Sequence, residues 1–343
     1  MTDLSSIVSQ GAVDLVDSGS TPGATVIITD TDATVASAAH GVRRQGTPTP
    51  LTLTDMVHIG SCTKAMTATV IARAVDAGAL TWDEPVQTWI DGQVHPARAN
   101  VTIVDLLAHR AGVAPYEEED QVDTLPPLPD DPVAQRQQLS SLVMAARPEV
   151  PVGEKAVYSN AGFAVAASVC ERATGIPWEE AVVATCRDLG VAVDLGWPGA
   201  GGEPGPWGHK MNGDAFEAQN PDDGYQLSGW IAPAGNVRMS TIEMAIWARA
   251  NLAGISGSTN LLQLDSWQMI HSLHGEAGLG WGIREIAGQT ASAHSGSAGT
   301  FFTIIVLLHQ AQLGIAINTN SDPELSNDPV VALLKQMIAA LLS

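Results

Sequence analysis

Cysteine is scarce in this sequence of 343 residues, which has three, at positions 62, 170 and 186. An odd number without C-x-x-C spacing fits neither a disulfide framework nor a metal cluster. The sequence also lacks an H-E-x-x-H motif and a glycine-rich phosphate loop. We therefore expect a protein that works without a metal or other cofactor.

Basic residues are few as well, because 16 lysines and arginines stand against 37 aspartates and glutamates, for a net charge of −21. A surface this acidic repels phosphate backbones and anionic lipid headgroups. We therefore expect neither nucleic acid nor a membrane surface as a partner. Charged residues make up only 15% of the chain and hydrophobic residues 45%, a composition typical of a globular protein with a sizeable core.

Long apolar segments are missing too. No apolar run reaches the ~18 residues that a transmembrane helix needs. The first ten residues, MTDLSSIVSQ, lack the basic and apolar regions of a signal peptide. We expect a soluble protein, cytoplasmic as the sequence stands, and periplasmic or secreted if a signal peptide has been removed. The sequence predicts no particular oligomeric state.

Hydrophobic periodicity places strands near both ends of the chain and helices between them. The middle of the chain is richest in short helical patterns that proline and glycine interrupt. The predicted helices are 4–17, 63–79, 101–109, 161–174 and 328–342, and the predicted strands are 23–28, 34–41, 280–283, a segment around 293, 300–309 and 313–318.

This arrangement predicts an α+β fold in which an antiparallel sheet is flanked by helices. Residues 1–80 and 235–343 would form one α/β domain from both chain ends, and residues 81–234 a mostly helical inserted domain. Two irregular segments of the insertion, 116–132 and 197–209, are rich in proline or glycine, and long loops of this kind often border a site. The alternative for both is a solvated surface loop.

The first chemical motif is Ser61-Cys62-Thr63-Lys64, at the start of a predicted helix. Serine is a weak nucleophile at neutral pH and needs a base. Residues three apart share a helix face, so the Lys64 amine can reach the Ser61 hydroxyl, and burial would lower the pKa of that amine. The helix N-terminus also offers backbone N–H groups to an oxyanion. Alone the motif is weak, because a capping serine before a surface lysine gives the same pattern.

The second motif is Tyr158-Ser159-Asn160, which precedes a helix of small residues. In extended chain, residues two apart point the same way, so the Tyr158 phenol and the Asn160 amide can face one pocket. A tyrosine beside a lysine can act as base for Ser61 and later as acid to the leaving group. Asn160 can hold the lysine and a substrate carbonyl. The alternative is a loop tyrosine followed by a capping asparagine.

The third motif, His294-Ser295-Gly296-Ser297, leads into an apolar strand. Glycine at 296 lets a ligand approach the backbone closely. The N–H of Ser297 could complete an oxyanion hole with that of Ser61, and His294 and Ser295 would donate hydrogen bonds toward the pocket. The alternative is a glycine-rich turn with an incidental histidine.

In this order the motifs resemble those of the serine β-lactamase and penicillin-binding-protein superfamily, specifically its class C β-lactamase-like branch, which also includes β-lactamase-like carboxylesterases. Leu106-Leu107-Ala108-His109-Arg110-Ala111-Gly112 and Gly280-Trp281-Gly282 fit the same branch. The resemblance spans about residues 20–340 and implies a β-lactamase/DD-peptidase-like fold with an inserted all-helical domain and a site in the cleft between. It implies acylation of Ser61 and hydrolysis of the acyl-enzyme by water, and it leaves open whether Lys64 or Tyr158 accepts the proton.

One departure from the family bears on the substrate. Class C β-lactamases usually carry lysine-threonine-glycine where this chain has His294-Ser295-Gly296. A constant positive charge is thereby replaced by an imidazole that is mostly neutral at pH 7. We expect a serine hydrolase of small esters or amides, most like a carboxylesterase, with a β-lactamase or D-amino-acid peptidase or amidase as alternatives. Two alternatives belong to functional classes other than hydrolases: an acyltransferase and a non-catalytic binding module.

Overall fold

The computed structural model describes residues 3–117, 119–223, 227–259 and 261–342. The helices and strands of the described residues are joined by loops and short 3₁₀ turns. The helices are α1 (Leu4–Asp17), α2 (Thr63–Asp76), α3 (Ile103–Leu107), α4 (Glu119–Val122), α5 (Pro132–Ala145), α6 (Asn160–Thr174), α7 (Trp178–Asp188), α8 (Ala232–Gly235), α9 (Thr241–Ile255), α10 (Leu264–Ile270) and α11 (Pro323–Leu341). The strands are β1 (Gly23–Thr29), β2 (Thr34–Gly41), β3 (Met56–His58), β4 (Asp194–Leu195), β5 (Gly208–Asn212), β6 (Ala215–Gln219), β7 (Val237–Ser240), β8 (Gly282–Ile286), β9 (Gln289–Ser297), β10 (Phe302–Leu308) and β11 (Leu313–Thr319).

Both ends of the chain contribute to one six-stranded sheet with the order β2-β1-β11-β10-β9-β8. Every neighbouring pair in this sheet is antiparallel. Strand β1 lies inside the sheet and is buried along its whole length, which explains its run of apolar residues. The sheet and the helices on its faces confirm the predicted α+β fold.

Helices α1 and α11 cover one face of the sheet and share an apolar core with β1, β10 and β11. Helix α11 begins at Pro323 instead of the predicted 328. The Asp322 side chain accepts a hydrogen bond from the backbone N–H of Glu324, and proline is well tolerated in a first helical turn. The hydrophobic pattern missed these turns because residues 323–329 are mostly polar.

The other face of the sheet packs against α9, and a second apolar core continues from there through α2 to α6. Helix α6 contacts α2, α3, α5, α7 and α8. Its small side chains, chiefly alanine, allow these neighbours to approach closely. The Ser159 side chain caps its first turn, and Gly175 ends it in the left-handed conformation with a φ of 71°. These caps fix where Asn160 begins the helix.

The region between residues 81 and 234 contains α3 to α7 and also the β5–β6 hairpin, which periodicity did not predict. Within the predicted irregular segment 116–132, residues 119–122 form a short helix, and Glu118 lies outside the described residues. The assignment of 81–234 to a separate domain stays a prediction. In the part of the chain that the structure describes, no helix has the length and apolar character needed to cross a bilayer.

Candidate active site

A cleft of about 620 Å³ lies between strands β8 and β9 and the loops that precede α4 and α6. Members of all three sequence motifs line it, namely Ser61, Tyr158, His294, Ser295 and Ser297. Of the remaining motif residues, Lys64 and Gly296 contact Ser61, and Asn160 contacts Lys64. The fold therefore brings together all eight residues that the sequence analysis selected.

Ser61 lies in a 3₁₀ turn, Gly60–Cys62, that joins β3 to α2. Hydrogen bonds attach this segment to β7, because Ile59 N donates to the Val237 carbonyl at 3.1 Å and Val237 N donates to Thr63 Oγ1 at 3.1 Å. The Ser61 side chain faces the cleft, whereas its neighbour Cys62 is buried and contacts the His294 carbonyl. Burial raises the pKa of the Cys62 thiol to about 12, so it is not a nucleophile at neutral pH.

Lys64 has no exposed surface, and its amine has three oxygen acceptors. Nζ donates to Ser61 Oγ at 3.1 Å, to Asn160 Oδ1 at 2.7 Å and to the Ala234 carbonyl at 2.9 Å. These three acceptors match the three N–H groups of an ammonium. If the Lys64 amine loses one proton, the Ala234 carbonyl and Asn160 Oδ1 can each still accept one N–H. The lone pair of Nζ can then accept the hydroxyl proton of Ser61.

Burial lowers the pKa of Lys64 from its ordinary value to about 7, and the negative charge of Glu117 opposes this shift. A substantial fraction of the amine is therefore neutral at physiological pH. A neutral amine 3.1 Å from Ser61 Oγ can accept the hydroxyl proton.

Tyr158 lines the same cleft as Ser61 and contacts Lys64. Lys64 Nζ lies 4.6 Å from the centre of the Tyr158 ring, so the amine faces the ring rather than the phenol oxygen. Ser61 by itself lowers the pKa of the Tyr158 phenol. Burial nevertheless raises the pKa of Tyr158 above its ordinary value, which keeps the phenol protonated at neutral pH.

His109 holds the Tyr158 loop in place. Its ring packs against Tyr158 with a centroid distance of 4.6 Å, and its Nδ1 accepts a hydrogen bond from Ser159 N at 3.1 Å. The His109 backbone is left-handed, with a φ of 61°, and its carbonyl accepts a hydrogen bond from Val157 N. Burial lowers the pKa of His109 to about 3, so its ring is neutral and supports Tyr158 by packing and hydrogen bonding.

Strand β9 meets the Ser61 turn through two glycines. A Cβ on Gly296 would lie 2.7 Å from the peptide nitrogens of Ser61 and Cys62, closer than non-bonded atoms can approach. A Cβ on Gly60, which has a φ of 49°, would lie 2.7 Å from the Cα of Ser297. Only glycine at both positions allows this contact, which brings the Ser297 backbone against Gly60 and the Gly296 backbone against the Ser61 turn.

His294 is half-buried and lines the cleft. Its Nδ1 donates to the Ser295 carbonyl at 2.6 Å, so in the neutral ring Nε2 is an acceptor and not the donor expected from the sequence. Burial and the nearby Lys64 charge lower the pKa of His294 to about 4. The position that carries a lysine in class C β-lactamases is therefore neutral here at pH 7.

Other groups in the cleft had no signal in the sequence. The Ala234 carbonyl is a backbone atom, and only the fold shows that it accepts from Lys64. Glu117, Glu276 and Arg284 also line the cleft. Exposed charged residues of this kind look the same in a sequence whether they border a site or not.

Residues 9–339 match the family model named Beta-lactamase. Penicillin-binding protein 4 of Amycolatopsis lactamdurans is 26% identical over 339 residues, which cover 87% of this chain and 81% of that protein. The structure of a class C beta-lactamase superimposes with a TM-score of 0.79 at 18% identity, over 98% of this chain and 96% of that one. A D-stereospecific amidohydrolase from Streptomyces sp. superimposes with a TM-score of 0.71 at 22% identity, over 93% and 94% of the two chains.

The two structural matches have low sequence identity and establish the shared fold. The family model spans nearly the whole chain, and the fold agrees with it. The chain therefore belongs to the Beta-lactamase family, within the serine β-lactamase and penicillin-binding-protein superfamily, and is a serine hydrolase.

Proposed function

We propose that Ser61 attacks the carbonyl carbon of a small ester or amide and forms an acyl-enzyme that water then hydrolyses. The observation that carries this proposal is the contact of 3.1 Å between Ser61 Oγ and the buried Lys64 amine. In the first step the Ser61 oxygen bonds to the carbonyl carbon, the hydroxyl proton passes to a base, and the alcohol or amine departs. In the second step water replaces Ser61 on the acyl group.

Lys64 is the base in this proposal. Its pKa of about 7 makes the neutral amine available, and Asn160 and the Ala234 carbonyl hold its two remaining N–H groups. Tyr158 keeps its proton, because burial raises its pKa. In this proposal a protonated Tyr158 gives its proton to the leaving group as the bond between that group and the carbonyl carbon breaks. The proton that Lys64 took from Ser61 later returns to Tyr158.

The negative oxygen of the tetrahedral intermediate needs hydrogen-bond donors. We assign this role to the backbone N–H groups of Ser61 and Ser297, because Gly60 lies against the Ser297 backbone and Gly296 lies against the Ser61 nitrogen. Backbone donors cost no reorganisation when the charge appears, because the β9 strand and the 3₁₀ turn already hold them. Ser297 Oγ accepts a hydrogen bond from Gly299 N at 2.9 Å, which fixes its side chain.

The neutral His294 favours a neutral ester or amide over a β-lactam, whose carboxylate gains from a fixed positive charge. We therefore propose carboxylesterase-like activity. The D-stereospecific amidohydrolase among the structural relatives supports amides as the second candidate class.

The substrate class is tested by comparing p-nitrophenyl acetate, p-nitrophenyl butyrate and nitrocefin on the wild type and Ser61→Ala. We expect ester turnover that depends on Ser61 and little nitrocefin cleavage, because no lysine occupies position 294. Steady-state kcat/KM for each compound is the measurement. Fast nitrocefin cleavage would favour a β-lactamase, and ester turnover retained by Ser61→Ala would rule out Ser61 as the nucleophile.

The base is tested by Lys64→Ala, with the exposed Lys155→Ala as the matched control. General-base catalysis contributes about 10²–10⁴-fold, so we expect a loss of about 10³-fold in kcat/KM for Lys64→Ala and less than about twofold for the control. In the wild type, kcat/KM should rise with pH through about 7, because the neutral amine is the active form. A loss of less than about tenfold, or a rate that is flat from pH 6 to pH 8, would contradict the assignment.

The backbone contact is tested by Gly296→Ala, with Gly162→Ala in α6 as the control. A Cβ on Gly296 clashes with the Ser61 turn, whereas a Cβ on Gly162 lies 3.4 Å or more from its neighbours. Loss of one oxyanion donor costs about 10²–10³-fold, so we expect a loss of that order in kcat for Gly296→Ala and near wild-type kcat for Gly162→Ala. Circular dichroism confirms that each variant is folded. Unchanged kcat in folded Gly296→Ala would refute the proposed oxyanion hole.

A further inference from the structure

Thr67 lies on α2, three residues after Lys64, and its hydroxyl bonds outside its own helix. Its Oγ1 donates to the Pro233 carbonyl at 2.6 Å. A threonine inside a helix commonly donates to a carbonyl of the preceding turn. Thr69 on the same helix does so, because its Oγ1 donates to the Ala65 carbonyl at 3.0 Å. Both threonines are completely buried, so Thr67 makes a tertiary contact where Thr69 makes a local one.

The Thr67 hydroxyl has a fixed direction. Trp178 Nε1 lies 3.0 Å from Thr67 Oγ1, and an indole N–H can only donate, so the single hydroxyl proton is left for Pro233. Trp178 is itself anchored, because its backbone N–H donates to Glu171 Oε1 at 2.8 Å and Glu171 forms an ion pair with the buried Arg136. Residues of α5, α6 and α7 therefore orient the donor to Pro233.

Pro233 and Ala234 lie in the single turn of α8, which comes directly against α2. The last carbonyls of a helix have no N–H of their own helix to accept from and need outside donors. Thr67 supplies the donor to the Pro233 carbonyl, and Lys64 Nζ donates to the next carbonyl, that of Ala234, at 2.9 Å. Two adjacent carbonyls of α8 are therefore held by two side chains that lie one turn apart on α2.

We propose that Thr67 is a positioning residue for Lys64, because its hydroxyl holds α8 where the Ala234 carbonyl directs the Lys64 amine toward Ser61. The effect of Thr67 on catalysis rests on the proposed role of Lys64 as the base. Thr67 takes no part in bond making and acts through the α8 backbone. It extends the site to a residue that touches neither the cleft serine nor the amine.

Loss of the Thr67 hydroxyl leaves the buried Pro233 carbonyl without its donor, which is costly and favours a shift of α8. The Ala234 carbonyl then stabilises the ammonium form of Lys64 less well. Since a hydrogen bond to the charged form raises the pKa of an amine, its loss lowers the pKa of Lys64. The neutral amine also loses one of the two contacts that aim its lone pair at Ser61, so the rate falls as well.

Titratable side chains of several elements also interact with Lys64, namely Glu117, Cys62, Tyr158, His109 and His294. The negative charge of Glu117 raises the pKa of Lys64. The others are neutral at pH 7, because burial raises the pKa of the thiol and the phenol and lowers the pKa of both imidazoles. A substitution at Thr67 leaves all five in the chain, so a changed titration of Lys64 reports the hydrogen bonds of its own amine.

The test compares Thr67→Val with Thr69→Val, which each remove one completely buried hydroxyl from α2. The titration midpoint of Lys64 is read from the NMR signal of lysine labelled with ¹³C at Cε, and kcat/KM for p-nitrophenyl acetate is measured across the same pH range. In Thr67→Val we expect the midpoint to fall by about 0.5 pH units or more. We expect the high-pH plateau of kcat/KM to fall at least about tenfold. Thr69→Val should keep both values near those of the wild type.

Thr67→Ser restores the hydroxyl and should return the midpoint and kcat/KM to near the wild-type values. Circular dichroism and thermal unfolding show that each variant is folded and how far its Tm falls. A hydrogen bond that serves stability alone would lower the Tm without moving the Lys64 midpoint. If Thr67→Val does not fold, Thr67→Ala and Thr69→Ala carry the same comparison, because alanine is the better helix former.

The outcomes separate this inference from the proposed function. If folded Thr67→Val keeps the wild-type midpoint or the wild-type kcat/KM, or if Thr69→Val changes them equally, the positioning role of Thr67 is overturned and the Ser61 mechanism stands. If Ser61→Ala or Lys64→Ala retains the activity of the wild type, the proposed function is wrong and the role of Thr67 in catalysis is overturned with it.

Discussion

Lys64 is a charged residue in the apolar core, and its amine has oxygen acceptors on three sides: Ser61, Asn160 and the Ala234 carbonyl. An unpaired ammonium could not remain buried there, because desolvation of a charge is far more costly than loss of a hydrogen bond. The acceptors make burial tolerable, and burial makes the neutral amine accessible near pH 7. The α2, α6 and α8 elements each supply one side of this arrangement, so their packing is a condition for the chemistry.

The second requirement is that two backbones come closer than side chains allow. Gly60 and Gly296 remove the Cβ atoms that would separate the Ser61 turn from β9. This contact connects the helical region, through α2, to the six-stranded sheet, and in the proposed mechanism it supplies the backbone donors for the substrate carbonyl at Ser61. In the proposed mechanism, Lys64 accepts the Ser61 proton, and the contact at Gly60 and Gly296 supports the donors to the developing negative oxygen.

Much of this could be read from the sequence, because the relevant signals are local. Ser61 and Lys64 are one helical turn apart, Tyr158 and Asn160 lie at a helix start, and the motif that contains Gly296 leads into an apolar strand. The strands at both chain ends also have clear periodicity. The Ala234 carbonyl, the cleft position of Glu117 and the polar first turns of α11 could not be predicted, since they depend on tertiary contacts or lack an apolar pattern.

The proposed mechanism depends most directly on the protonation of Lys64, which NMR can measure because the chain has four lysines. Lysine labelled with ¹³C at Cε gives one signal per residue, and the signal absent from Lys64→Met identifies residue 64. The account predicts that this signal titrates with a midpoint near 7, as burial lowers the pKa of the amine. A midpoint above about 9.5, close to the ordinary lysine value of about 10.4, would leave almost no neutral amine at pH 7 and would contradict the assignment of Lys64 as the base for Ser61.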